Sequence, residues 1–255
     1  MTPTLLSLST LFAAGFVAGS INSVAGGGSL VAFPALLAAG LTPLGANATC
    51  ATSLMPGSLA SFVGYRRELE GTRDRALAMA VPSALGGLLG ASLAMRVGDA
   101  RFAASVPWLI LGATALFALQ APLARRLAGR EEAPMTRGRL LAVAAFQLVI
   151  AVYGGFFGAG IGILMLAALT LAGERNIHRA NALKSLAAVA INVVAAVAFL
   201  RAGRVDPIAA VAVATGAVSG GYLGAGYARR LGQRLVRRVV MGVGLALTVT
   251  MFLRR

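Results

Sequence analysis

The sequence is poor in charge. Only 12% of its 255 residues are Asp, Glu, Lys or Arg, whereas 58% are apolar, and the mean hydropathy is +0.82. An ordinary soluble domain carries about 25% charged and about 45–50% apolar residues. Too little polar side chain remains to cover a water-facing surface, which excludes a cytosolic enzyme, a secreted disulfide scaffold and a disordered tail. Cysteine and histidine are nearly missing. Cys50, standing alone, excludes an intramolecular disulfide, and with His178 as the one histidine these two types cannot form a metal-ligand cluster. Nothing resembles a catalytic triad, so neither an enzyme nor a cofactor is expected. Acids are scarce as well. All eight, Glu68, Glu70, Asp74, Asp99, Glu131, Glu132, Glu174 and Asp206, fall in expected loops. No carboxylate is therefore expected inside the membrane for a proton relay. A coupling proton would have to travel on the substrate, on His178 or on Lys184. Met1 to Thr10 contain no Lys or Arg and so no basic n-region of a signal peptide.

Basic residues, by contrast, are plentiful. There are 23 Lys and Arg, a net charge of +15, and Lys184 is the only lysine. They lie in short clusters between long uncharged stretches rather than on one amphipathic face, which reads as basic loops flanking membrane spans, not as a nucleic-acid surface. A transmembrane helix needs about 20 mostly apolar residues. The uncharged stretches place helices over 45–65, 76–95, 102–124, 180–200, 207–228 and 236–253. Two further elements, 4–39 and 140–172, are longer than a simple span, and glycines interrupt each near its middle. Each glycine in a helix interior costs roughly 1 kcal/mol relative to alanine, so each element is read as a pair of half-helices.

The two broken elements are copies. Adding 134 to a position carries Gly26 and Gly28 onto Gly160 and Gly162, and Asn47 onto Asn181. The same offset carries Gly86-Gly87 onto Gly220-Gly221 and Arg96 onto Arg230. One ungapped register of this kind marks a tandem duplication: residues 1–124 as one repeat, 125–139 as a basic cytoplasmic linker, and 140–255 as the other. Loop charge then bears on orientation. If each broken element crosses fully, the basic residues divide almost evenly between the two sides. If each enters and leaves on one side, only Arg96, Arg101, Arg201, Arg204, Arg254 and Arg255 lie opposite the remaining 17. Positive-inside asymmetry prefers the second arrangement. The expected fold is an all-α polytopic membrane protein of two inverted-topology repeats. Each has a Gly-broken element, re-entrant or hairpin, plus three transmembrane helices, and both termini lie outside.

Paired Gly-interrupted segments in two inverted halves point to a transporter binding site. Gly26, Gly27 and Gly28 precede a half-helix from Leu30 to Ala39, with Ser29 as a candidate cap. Gly158, Gly160 and Gly162 precede one from Ile163 to Ala172. A helix N-terminus carries roughly half a positive charge and free donors, which suits an anion. For Gly86, Gly87, Gly90, Gly220, Gly221 and Gly224, close helix packing is the preferred reading. Asn22, Ser23, Thr49, Asn181, Lys184 and Ser185 are polar neighbours of the breaks. Asn47 and Asn181 stand as helix caps or as ligands. Lys184 stands as a snorkelling cation, the preferred reading, or as an anion contact.

The stretch GFVAGSINSVAGGGSLVAFPALLAAGLTPLGANATC (Gly15 to Cys50) has a second-half echo in GGFFGAGIGILMLAALTLAG and RANALKSLAAVAINVVAAVAFLRAGRVD. Together they resemble the sulfite exporter TauE/SafE family of membrane permeases. The resemblance implies a bacterial inner-membrane protein moving sulfite, an organosulfonate or a related sulfur-containing or organic anion. It also implies a Gly-rich motif from Asn22 to Gly28, Pro34 closing the half-helix, and Ala46 to Thr49 opening the next span. In the second copy Ile161 and Ala168 stand where Gly27 and Pro34 are, so the two halves need not bind equally. The expected partners are a small anionic substrate and the lipid bilayer, without nucleic acid, and self-association into a homo-oligomer is left open. A passive anion channel and a membrane scaffold without transport are the alternatives.

Overall fold

The computed structural model describes residues 5–24, 27–127, 136–174 and 176–224, together with 241, 242 and 249. Among the described residues there is no β-strand. The helices are α1 (Leu5–Val24), α2 (Ser29–Ala38), α3 (Pro43–Tyr65), α4 (Arg73–Val97), α5 (Asp99–Leu127), α6 (Arg137–Phe156), α7 (Ile161–Leu171), α8 (Ile177–Arg201) and α9 (Pro207–Ser219). A short 3₁₀ turn (Arg66–Leu69) joins α3 to α4, and α9 continues into a π-helical turn (Gly220–Gly224). By length and composition, Arg73–Val97, Arg137–Phe156 and His178–Arg201 are long and apolar enough to cross a membrane.

Most helices overrun the uncharged windows. The windows 45–65, 76–95, 102–124 and 180–200 become 43–65, 73–97, 99–127 and 177–201. A window stops at the first charge, but a helix stops at its cap. Thr42 accepts from the Gly45 N–H at 3.2 Å, Asn176 from those of His178 and Arg179, and Asp206 from that of Ala209. The basic side chains of the terminal turns are long enough to carry their charge outward. Pro34 does not close α2 but sits inside it. A proline at that point withholds a single N–H, and α2 ends four residues later at a glycine turn. The linker 125–139 begins as the last turn of α5 and ends as the start of α6, with 128–135 outside the described residues. The helix at 207–228 is described to Gly224. Apart from residues 241, 242 and 249, the helix at 236–253 lies outside the described residues, as does Arg230.

Glycine sets how closely the helices approach. Where α1 meets α9, a Cβ on Gly15, Gly19, Gly216 or Gly220 would fall on the carbonyl of Val213, Ala217, Phe12 or Phe16 respectively. Numbering rises together along both helices, so they run parallel. Where α4 meets α6, a Cβ on Gly86 would meet the Leu148 carbonyl, and one on Gly90 the Val152 carbonyl. That pair is also parallel, and Gln147 Nε2 donates to Ser83 Oγ across it at 2.8 Å. Lipid supplies no hydrophobic drive between helices, so this close backbone approach is what binds them.

α3 and α8 run the other way. The Asp206 N–H, just past α8, donates to Thr49 Oγ1 near the start of α3 at 3.0 Å. Further along, Asn192 Nδ2 donates to Ser58 Oγ at 2.9 Å. Numbers rise in one helix as they fall in the other.

These directions sort the loops into two ends. One end gathers the 3₁₀ turn, the starts of α4 and α6, and the α7–α8 loop; Glu70, Arg73, Arg75, Leu140 and Arg179 line one hollow there. The opposite end gathers the starts of α3, α5 and α9 with the end of α8. There Arg204 meets Asp99 at 3.0 Å.

Candidate functional site

The two interruptions lie in the interior of the bundle. In the first, Asn22 near the end of α1 reaches across it, its Oδ1 accepting from the Gly28 N–H at 2.9 Å. Gly28 is the N-cap of α2 and is buried against α1: a Cβ there would collide with the Ala18 carbonyl. Ser29 does not cap the half-helix. It is the first residue of α2, which has no side-chain cap. The Asn22 bond already takes the Gly28 N–H, and the chain turns helical one residue earlier than the glycines suggest. Gly27 is buried and its carbonyl accepts from the Leu30 N–H at 3.1 Å. Ser23 lies in the last turn of α1, and Gly26 lies outside the described residues.

The second interruption is described throughout. Gly158 and Gly160 have φ of +79° and +80°, in the left-handed region where only glycine is unstrained. Gly160 caps α7 with no side-chain bond. Tyr153 Oη donates to the Ala159 carbonyl at 2.8 Å and holds the turn from inside. Asn47, buried on α3, donates from Nδ2 to the Phe156 carbonyl at 3.0 Å, which supplies a partner at the otherwise open C-terminus of α6. Phe157 stacks edge-on against Phe33 of α2 with ring centroids 5.3 Å apart. Ser29, Leu30, Phe33, Pro34, Ile110 and Phe157 close around this contact in a tight apolar seam with no room for a water molecule. A side chain from one half of the chain thus serves the break in the other.

The cap readings of Asn47 and Asn181 do not hold, because Thr42 caps α3 and Asn176 caps α8. Both asparagines lie about a turn inside their helices. Asn181 Oδ1 accepts from Lys184 Nζ at 2.9 Å. A Cβ on Gly162, in the first turn of α7, would stand 3.6 Å from Lys184 Cδ. Lys184, Asn181 and Gly162 therefore form one group. Thr49 serves the α3–α9 junction through its bond from Asp206, and Ser185 is buried on α8.

One acid departs from the sequence reading. Glu174 is in a loop, but its side chain is fully buried. It pairs with Arg75 at the start of α4, accepts from the Asn176 N–H at 3.1 Å, and lies 3.8 Å from Arg179. The signal for its burial was the order of residues: a glycine after an apolar helix, then the acid. The residue after such a glycine folds back onto the helix.

Comparison with known proteins places this helical chain among membrane proteins. The sequence profile of the sulfite exporter TauE/SafE family matches residues 11–251. A probable membrane transporter protein of Haemophilus influenzae is 32% identical over 246 residues, covering 96% of this chain and 94% of its own. The probable membrane transporter protein ORF9 of a Sinorhizobium species is 31% identical, covering 95% and 91%. The probable membrane transporter protein YfcA of Escherichia coli K12 is 30% identical, covering 92% and 86%. No solved structure matches the chain. Relatives and profile span nearly the whole length, and the protein belongs to the sulfite exporter TauE/SafE family of membrane proteins.

Proposed function

We propose that the protein is a permease of the bacterial inner membrane that carries a small anion: sulfite, an organosulfonate or a related sulfur-containing or organic anion. The anion binds between two Gly-broken elements, α1–α2 and α6–α7, which belong to two inverted repeats. Several contacts support the inversion. Ser58 and Asn192, which bond to each other, are 134 residues apart. That separation equals the offset of the duplication, and residues equivalent by a two-fold relation touch only on its axis. α3 and α8, equivalent by the same offset, run antiparallel, as they must if one half is upside down. α1 lies along α9 while α6 lies along α4, so each broken element packs on the other half's helix. Each also returns to the end of the bundle where it began, which favours a hairpin over a full crossing. The end carrying Arg73, Arg75, Arg137 and Arg179 faces the cytoplasm by the positive-inside rule, and both termini then lie outside.

The observation that carries the anion reading is the start of α7. A buried helix N-terminus without a side-chain cap concentrates partial positive charge, and Lys184 with Asn181 stands beside it. Asn22, Ser23, Gly26, Gly27, Gly28 and Ser29 form the other half-site. Asn47, Thr49 and Ser185 hold the surrounding helices, with Gly158, Gly160 and Gly162 shaping the turn. Rocking of one repeat against the other exposes this midplane site to either side in turn.

Thermal unfolding of the purified protein with sulfite, sulfate, thiosulfate, short sulfonates and short carboxylates tests this reading. A ligand at 100 times its Kd stabilises by about 2.7 kcal/mol, so at least one anion raises the midpoint with saturation, and Lys184→Met weakens that rise. If none of the panel shifts the midpoint, the proposal is wrong.

A further inference from the structure

Thr114, on α5, is buried, and its hydroxyl has no hydrogen-bond partner. A hydroxyl on a buried helix normally returns to the carbonyl four residues back. Ser20, Thr52, Ser53, Ser58, Thr170 and Thr215 all do so, at 2.6 to 3.3 Å. Thr114 makes no such bond, although the Ile110 carbonyl is available in register. A buried hydroxyl without a partner carries a desolvation penalty that a valine of the same shape would avoid.

Its place in the fold gives that penalty a use. α5 turns a stripe of Phe102, Val106, Ile110 and Ala113 inward. Ile110 packs into the apolar seam with Phe157, and the Ala113 carbonyl lies 3.7 Å from where a Cβ on Gly160 would stand. Thr114 follows Ala113 and lies one turn beyond Ile110, on the same face. Through Ala113 it is placed on α5 beside the Gly158–Gly160 turn that precedes α7. The 134-residue offset also sets Thr248, outside the described residues, opposite Thr114 in the sequence.

We propose that Thr114 is a further substrate-binding residue, its hydroxyl donating to the oxyanion held at the start of α7. The inference rests on the anion reading of that site. Lys184 and the helix terminus supply the charge. A neutral donor on α5 adds direction, since a hydroxyl gives one oriented bond to an oxyanion whereas an ammonium is a point charge. Because α5 lies outside the broken elements, the anion would also tie α5 to α7 when bound.

The test measures sulfite flux and sulfite-dependent thermal unfolding for the wild type, Thr114→Val and Thr114→Ser, using the full chain in lipid vesicles. Thr114→Val is expected to raise KM for sulfite tenfold or more with maximal flux retained, and Thr114→Ser to restore it. Without sulfite, Thr114→Val unfolds at the wild-type temperature or above, because no bond is lost. A Thr114→Val protein with wild-type KM overturns the inference while leaving the anion site standing. So does one that unfolds early without sulfite or fails to reach the membrane, since that would make the hydroxyl structural. A wild type that neither binds nor moves sulfite, with the related anions equally inert, removes the anion site and this residue with it.

Discussion

Two half-helices end in the same turn and put opposite chemistry into it. α2 ends at Gly40 with φ of +91°, and α7 at Gly173 with φ of +95°. In both, the next residue donates its N–H to the carbonyl five back: Leu41 to Leu36 at 3.3 Å, Glu174 to Leu169 at 2.9 Å. Leu41 packs against the apolar core. Glu174, the residue after the turn glycine of α7, is buried against Arg75 and Arg179. The two turns lie at opposite ends of the bundle. The same backbone turn is thus closed by apolar packing at one end and by an ion-paired acid at the other. A shared turn therefore fixes the backbone at both ends and leaves the chemistry of each end free to differ.

Substitutions can break this comparison at either level. The largest effect is expected where the frame itself is touched. Gly90→Leu drives a side chain into the Val152 carbonyl and separates α4 from α6, and Gly19→Leu does the same between α1 and α9. Overpacking costs about 1–3 kcal/mol and occasionally more. Both variants should fall at the upper end, read as lost monodisperse protein after extraction. Next comes Glu174→Ala, which leaves two arginines without their buried partner. Removing one member of a buried pair costs about 3–5 kcal/mol. The arginines retain partial exposure, so about 2–3 kcal/mol is expected in thermal unfolding. Leu41→Ala at the other end should lose about 1–2 kcal/mol, below the usual range for a fully buried leucine because Leu41 is half-buried. Negligible losses from both Glu174→Leu and Leu41→Gln would show that both ends tolerate either chemistry. Smallest is Arg204→Ala. Its pair with Asp99 has side chains 41% and 45% exposed, and such surface pairs contribute about 0–1 kcal/mol.

Much of the frame was legible in the sequence because it is written in composition and period. Long uncharged runs mark helices that can lie in lipid, and glycine pairs mark the places where helices touch. Other features depend on what a residue meets in space. Asn47 could not be assigned from its own neighbourhood, because its partner, the Phe156 carbonyl, lies 109 residues away. Glu174 looked like any loop acid, since burial follows from the turn geometry at Gly173 and from Arg75 on another helix. Helix starts were missed by two or three residues, because Thr42 and Asn176 act as caps ahead of the apolar runs. Pro34 misled in the same way: it marks a missing N–H, and a short helix absorbs one. The Lys184–Asn181–Gly162 group was half visible, as three polar or small residues in two neighbouring segments, but not as contacts.

An anion site at the start of α7 is tested most directly by counterflow of labelled sulfite in vesicles holding the wild type or Lys184→Met, each preloaded with unlabelled sulfite. Label is expected to accumulate transiently above equilibrium in wild-type vesicles and at less than about a tenth of that rate in the variant, the lost charge-assisted bond being worth about 1.5–3 kcal/mol. Equal counterflow in both would contradict an anion site at the start of α7.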